Sequence, residues 1–71
     1  MYIVYAGLYD TGKQAKSDIK KIENMGLTPY LFSKNDKVAL MTGSFLKEQS
    51  ANELKSKLEK SGINSFIENR V

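Results

Sequence analysis

Apolar positions along this chain follow two rhythms, one with the period of a strand and one with the period of a helix, and the two alternate in a fixed order. Tyr2, Ile3, Val4, Tyr5 and Ala6 form a short aromatic and β-branched run closed by Gly7, which predicts a strand with a break at its end. Thr11, Gly12, Lys13 and Gln14 then fit a capping box, in which the threonine hydroxyl and the glutamine amide each take up an orphan backbone N–H, so a helix is predicted to open there. Ala15, Ile19 and Ile22 recur at i, i+4 and i+7 on one face, while Lys16, Lys20, Lys21 and Glu23 fall mainly on others. Gly26 ends the helix, because glycine enters the left-handed cap conformation without a Cβ clash, and Leu27 folds back onto the last turn.

The second half repeats the order. Residues 28–33 are apolar and aromatic with Pro29 near the start, where a missing N–H is tolerated only on an edge strand or at a strand's first residue. Lys34, Asn35 and Asp36 make a polar turn into a third strand over residues 37–42, giving a hairpin, and Gly43 is expected to play the part of Gly7. Ala51, Leu54 and Leu58 mark a second amphipathic helix ending at Gly62, followed by a fourth strand over residues 63–69. Ser50 with Glu53 offers one start for that helix, and the alignment of the two halves offers another near Lys47.

Shifting the chain by 36 residues without a gap superposes Gly7 on Gly43, Tyr9 on Phe45, Ala15 on Ala51, Ile22 on Leu58, Gly26 on Gly62, Tyr30 on Phe66 and Leu31 on Ile67. These matches fall at turns, helix cores and strands, so the shared pattern is architectural. Residues 1–71 read as one domain with internal repeats at about 2–33 and 38–69. Two strand-helix-strand halves joined by a hairpin give a ferredoxin-like βαββαβ, an α+β fold: one four-stranded antiparallel sheet, both helices on one face, the first and third strands central. Strand alternation then puts Val4, Ala6, Leu31, Val38, Leu40, Ser65 and Ile67 toward the helices. It leaves Ile3, Tyr5, Tyr30, Phe32, Ala39, Met41, Phe66 and Glu68 on the open face.

The open face is the candidate site. Tyr5, Tyr30, Phe32, Met41 and Phe66 are expected to be exposed there as a patch of several hundred Å², around the size that marks an interaction surface. Ile3 and Glu68 complete the set of candidate contacts. Aromatic rings offer flat apolar surfaces that match the C–H faces of sugars, and tyrosine adds a hydroxyl. On this reading, replacing Tyr5 and Phe32 by alanine weakens ligand binding and leaves the fold intact.

Composition narrows the chemistry. The chain has neither cysteine nor histidine, so there is no disulfide or thiolate site, and the commonest general base and metal ligand are missing. Asp10, Asp36, Glu48 and Glu68 lie in predicted loops or at strand ends, and no pair has a spacing that holds two carboxyls across a sugar. No glycine-rich loop with its lysine follows a strand to cradle phosphate. The expectation is a binding domain, not an enzyme, with no cofactor and no metal. The net charge of +3 is a small surplus with interspersed signs, and Lys13, Lys16 and Lys20 form a solvated helix stripe. No apolar run is long enough to span a membrane, so no membrane insertion is expected. Met1 directly before an apolar strand points to a piece of a longer chain, delivered as part of it.

The strand ending in glycine, with a two-residue step to an aromatic, occurs twice, as Gly7, Leu8, Tyr9 and as Gly43, Ser44, Phe45. A helix opening with Ala15 or Ala51, the helix-ending Gly26 or Gly62 and a β-branched or aromatic strand follow in the same order. Over nearly its whole length the chain resembles the SPOR domains, the sporulation-related repeats. What the resemblance implies is binding of peptidoglycan glycan strands stripped of stem peptides, on the open sheet face. It also implies a place in the cell wall, extracellular or periplasmic. Such domains sit at the C-terminus of cell-wall amidases and endolysins, phage ones included, or in cell-division proteins. The position before Ala6 and Gly7, often a glutamine directed at the ligand in that family, is Tyr5 here, so stacking replaces an amide hydrogen bond. By the same pattern Tyr9 and Phe45 are core anchors.

Two other readings use the same surface. An RNA-recognition module shares βαββαβ and displays aromatics on its central strands, but residues 37–45 lack its basic-glycine-aromatic opening and its alternating aromatics, so no nucleic-acid partner is expected. A homodimer joined through the pseudo-symmetric open face is the other.

Overall fold

The structure is a computed structural model describing residues 1–70, and its elements run β1 (Tyr2–Tyr9), α1 (Lys16–Asn24), β2 (Tyr30–Lys34), β3 (Lys37–Phe45), α2 (Glu48–Lys60) and β4 (Ser65–Asn69). The strands form one antiparallel sheet in the order β2-β3-β1-β4, with β1 and β3 central, as the βαββαβ reading requires. Its smallest extent is 17 Å, the thickness of one helix layer on one sheet.

The main core lies between the layers. Val4, Ala6 and Leu40 from the central strands meet Ala15, Ile22, Ala51, Leu54, Leu58 and Ile63, and Tyr2, Tyr9, Phe45 and Ile67 pack around them. Tyr9 and Phe45 are thus core anchors. Leu31 faces the same side, opposite Leu40, but is 57% exposed, contrary to expectation. Sheet parity assigned its face correctly. Cover depends on helix placement, and neither helix reaches the β2 edge.

Both helices end as their glycines dictate. Gly26 and Gly62 sit at φ +84° and +81°, with the Gly26 N–H donating to Glu23 and the Leu27 N–H to Ile22, and the matching pair of bonds after α2. The predicted starts need correction. The capping box at Thr11 does not form. Residues 11–16 instead make a run of i→i+3 turns, and α1 begins at Lys16 with Ala15 in the cap position. Gln14 reaches back, but its Oε1 accepts the N–H of Asp10, outside any helix. For α2 the repeat alignment gives the start, with Lys47 at the cap and Ser50 inside the helix.

The hairpin from β2 to β3 turns on Asn35 and Asp36, both at positive φ, the two-residue geometry whose twist matches its strands. The strand limits also move. β2 begins two residues later than predicted, β4 begins at Ser65, and β1 and β3 run through their glycines.

Gly7 does not end β1. It opens a bulge, in which Gly7 and Leu8 stand against the single residue Ala39. Its φ is +59°, its N–H donates to the Asn64 carbonyl at 2.6 Å, and a Cβ there would come within 2.6 Å of the Tyr9 ring. Gly43 is not its equivalent. It stays in the ladder opposite Val4, and the extra residue of β3 is Thr42, whose hydroxyl donates to the Val4 carbonyl at 3.0 Å. Gly7→Ala is predicted to lower the unfolding free energy by about 2 kcal/mol or more. It combines the left-handed backbone penalty with a clash that displaces Tyr9. Urea unfolding followed by circular dichroism measures this loss; an unchanged midpoint would rule out the strain.

Tyr9 explains part of that sensitivity. Its hydroxyl donates to Asp18 Oδ2 at 2.5 Å, whereas the corresponding residues of the second half are Phe45 and Leu54, an apolar version of the same contact. Burial raises the Tyr9 pKa above the usual phenol value, and the hydrogen bond to Asp18 and its negative charge raise it further. The folded state therefore holds this proton more tightly than the unfolded chain. The resulting stability is fully present below pH ~10, the unfolded value, and is lost as pH rises above it. Tyr9→Phe is predicted to cost about 1 kcal/mol near neutrality and to flatten the decline in stability above pH ~10, as read from unfolding midpoints at successive pH values.

Candidate ligand-binding face

The helix-free side of the sheet gathers the predicted residues, with pairings that fix their order. Tyr5 stands between Met41 on β3 and Phe66 on β4, Tyr30 pairs with Met41, Phe32 with Ala39, and Ile3 with Glu68. Ile3, Tyr5 and Ala39 form a second, smaller core, with Met41 and Phe66 packed on it. The face assignment from alternation therefore holds for every residue named, because β1 and β3 keep their parity across residues 3–5 and 39–41.

Exposure does not follow the assignment. Tyr5, expected as an exposed aromatic at the centre of the patch, is only 1% exposed, and Ile3 is buried as well. The Phe66 ring stacks on Tyr5 at 5.1 Å between centroids, and the Phe32 ring leans on it at 6.1 Å with a 41° tilt. Arg70, which the sequence reading missed, reaches over the edge of the sheet to donate to the Tyr5 hydroxyl at 3.3 Å and to Glu68 Oε1 at 3.0 Å. The hydrogen bond to Glu68, and then its carboxylate charge, raise the Arg70 pKa, and the two side chains form an ion pair at 3.0 Å. The one signal for Arg70 in the sequence is its i+2 position after Glu68, which places both on one side of β4 if the strand continues.

Tyr30 at 59% and Phe32 at 38% are the rings that remain open to solvent, with Met41 and Phe66 half-buried beside them. Tyr5 is the floor beneath Phe32, Met41 and Phe66, and Tyr30 stands beyond Met41 on the edge strand. Next to Tyr30 the face dips into an open cleft of about 130 Å³ lined by Thr28, Tyr30, Met41, Thr42, Gly43 and Ser44. The 36-residue shift aligns Pro29 with Ser65, which continues the β4 ladder to Ala6, and aligns Thr28 with Asn64, whose carbonyl takes the Gly7 N–H. The β2 ladder ends at Tyr30 opposite Met41, so Thr28 and Gly43 do not repeat the pairing that Asn64 and Gly7 make, and Pro29 holds an edge position whose nitrogen faces away from β3.

Among the described residues the face offers flat aromatic surface, hydroxyls and the ion pair of Arg70 with Glu68. Among the described residues no cluster of three or more histidine, cysteine, aspartate or glutamate side chains gathers to hold a metal, and no helix is long and apolar enough to cross a membrane.

A solved structure shares this fold: the solution structure of the peptidoglycan binding domain of the B. subtilis cell wall lytic enzyme CwlC. It superposes with a TM-score of 0.81 over 99% of this chain and 89% of that one, at 18% sequence identity. No family model and no curated protein matches the chain.

Proposed function

We propose that this chain is a non-catalytic SPOR-type module that binds the glycan strands of peptidoglycan and holds a cell-wall lytic enzyme, an amidase or endolysin, on its substrate. The observation that carries the reading is the helix-free face. Phe32 is presented on a floor of Tyr5, Ile3 and Ala39, with Tyr30 beyond Met41 on the edge strand, in a fold shared with a domain that binds peptidoglycan. Rings held at fixed tilt offer apolar planes to the C–H faces of successive sugars, and the bracing by Tyr5 and Phe66 removes the entropy of ordering them on contact. The module works in the cell wall, outside the cytoplasmic membrane.

Within this reading the seven predicted contacts divide by role. Tyr30, Phe32 and the exposed rims of Met41 and Phe66 meet the sugars, Glu68 with Arg70 closes one end of the face, and Ile3 and Tyr5 act from beneath. Co-sedimentation of the 71-residue chain with purified sacculi tests it. Binding that increases after an amidase removes the stem peptides is expected, since bare strands lie flat on the face. Failure to sediment with either preparation overturns the proposal. Single-stranded RNA is the control: affinity for RNA that falls steeply as salt rises, with none for sacculi, would favour a nucleic-acid reading.

A further inference from the structure

We infer that the cleft beside Tyr30 is a subsite for the acetamido group of an N-acetylated amino sugar. The inference rests on the glycan reading above and adds which substituent the face selects. At about 130 Å³ the cleft is well below the roughly 300 Å³ at which pockets begin to enclose a whole small ligand, so it fits a substituent and not a sugar. Its walls have the two characters an acetamido group needs. The Met41 thioether and the Tyr30 ring supply a soft apolar wall for the methyl. The exposed Thr28 and Ser44 hydroxyls stand at the rim for the amide C=O and N–H.

Two features give the site its shape. The Thr42 hydroxyl is turned away into the sheet, where it donates to the Val4 carbonyl, so Thr42 contributes no competing polar group to the floor. Ser44 pairs with Ile3 and so projects on the open face, three residues along β3 from Met41, the partner of Tyr30. A sugar stacked on Tyr30 then directs an equatorial substituent down between the parted ends of β2 and β3. At the equivalent place in the second half the Gly7 to Asn64 hydrogen bond and the pairing of Ser65 with Ala6 keep β1 and β4 together. The two pseudo-equivalent ends of the face are therefore unequal, and a glycan strand has a preferred register on it.

The test uses bare glycan strands from amidase-treated peptidoglycan, chemically de-N-acetylated and then re-acylated with either acetyl or the bulkier pivaloyl group, so that every probe has an uncharged amide at that position and the same lactyl carboxylates. Strands restored with acetyl are expected to bind the chain like the untreated strands, and pivaloylated strands at least tenfold more weakly. Ser44→Leu, which fills the cleft from the exposed side, is expected to weaken binding of acetylated strands at least fivefold and to erase the difference between acyl groups, with an unchanged circular-dichroism spectrum. Thr28→Val provides a second variant that keeps shape and removes a hydroxyl. Equal binding of acetyl and pivaloyl strands overturns the subsite and leaves the glycan reading standing. Absence of binding in every acyl form, untreated strands included, overturns both.

Discussion

Tyr5→Ala is expected to lower the unfolding free energy by about 3–5 kcal/mol, the range for removing a large buried aromatic side chain. For a chain of this length the total stability is about 4–10 kcal/mol, so the variant is partly unfolded at room temperature or close to it. The reason is the position of the ring. It is 1% exposed with no helix above it, and its cover consists of Phe66 stacked at 5.1 Å and Phe32 at 6.1 Å. Deleting it removes the floor of the smaller core and leaves both neighbouring rings without a partner. Tyr5→Phe keeps the stack and loses the contact from Arg70, so it is expected to stay within about 1 kcal/mol of the parent. Urea unfolding of the two variants separates the cases, and a Tyr5→Ala chain as stable as the parent would show that the ring is not part of a core.

The opposite expectation holds two strands away. Tyr30→Ala is predicted to weaken binding to bare glycan strands about tenfold, or ~1.4 kcal/mol, and the double change with Phe32→Ala about a hundredfold. The cost in stability is small. Tyr30 is 59% exposed and gives up little buried area, and Phe32 loses one tilted contact worth about 1 kcal/mol. Isothermal titration or strand co-sedimentation reads the affinity, and the unfolding curve of the same preparation shows that the chain is folded. Undiminished binding by a folded double variant would move the glycan site off this face. Together with Tyr5→Ala the pair tests a division of labour, in which Tyr5 builds the surface and Tyr30 with Phe32 presents it.

This division was only partly legible in the sequence. Alternation along β1 and β3 is a local property, since successive Cβ atoms point to opposite sides of a strand, and it placed Ile3, Tyr5, Ala39 and Met41 on the helix-free face. Exposure is not local. It depends on which side chains from β2 and β4 lean over a residue of β1, and Phe32 and Phe66 are separated from Tyr5 by 27 and 61 positions in the chain. The same limit applied to Leu31, whose face was right and whose cover was absent. It applied also to Thr11 and Gln14, where a capping-box pattern was consumed by a run of turns, because the chain leaving the β1 bulge enters α1 four residues later than the pattern allows. Pro29 was read as an edge-strand residue, which it is. That the β2 ladder ends beside it at Tyr30, leaving a cleft against β3, depends on what lies opposite.

The sequence by itself determined the element order, the two-fold repetition, the helix ends at Gly26 and Gly62 and the inward and outward faces of the strands. All of these rest on hydrophobic period and on residues that act within one turn of their own position. The tertiary structure alone decided which aromatics on the open face are floor and which are surface, where the β1 and β3 bulges fall, and that one end of the face opens into a cleft. Those outcomes are set by pairing across strands. A ring has its effect on a neighbour tens of residues away, through geometry that no local pattern encodes.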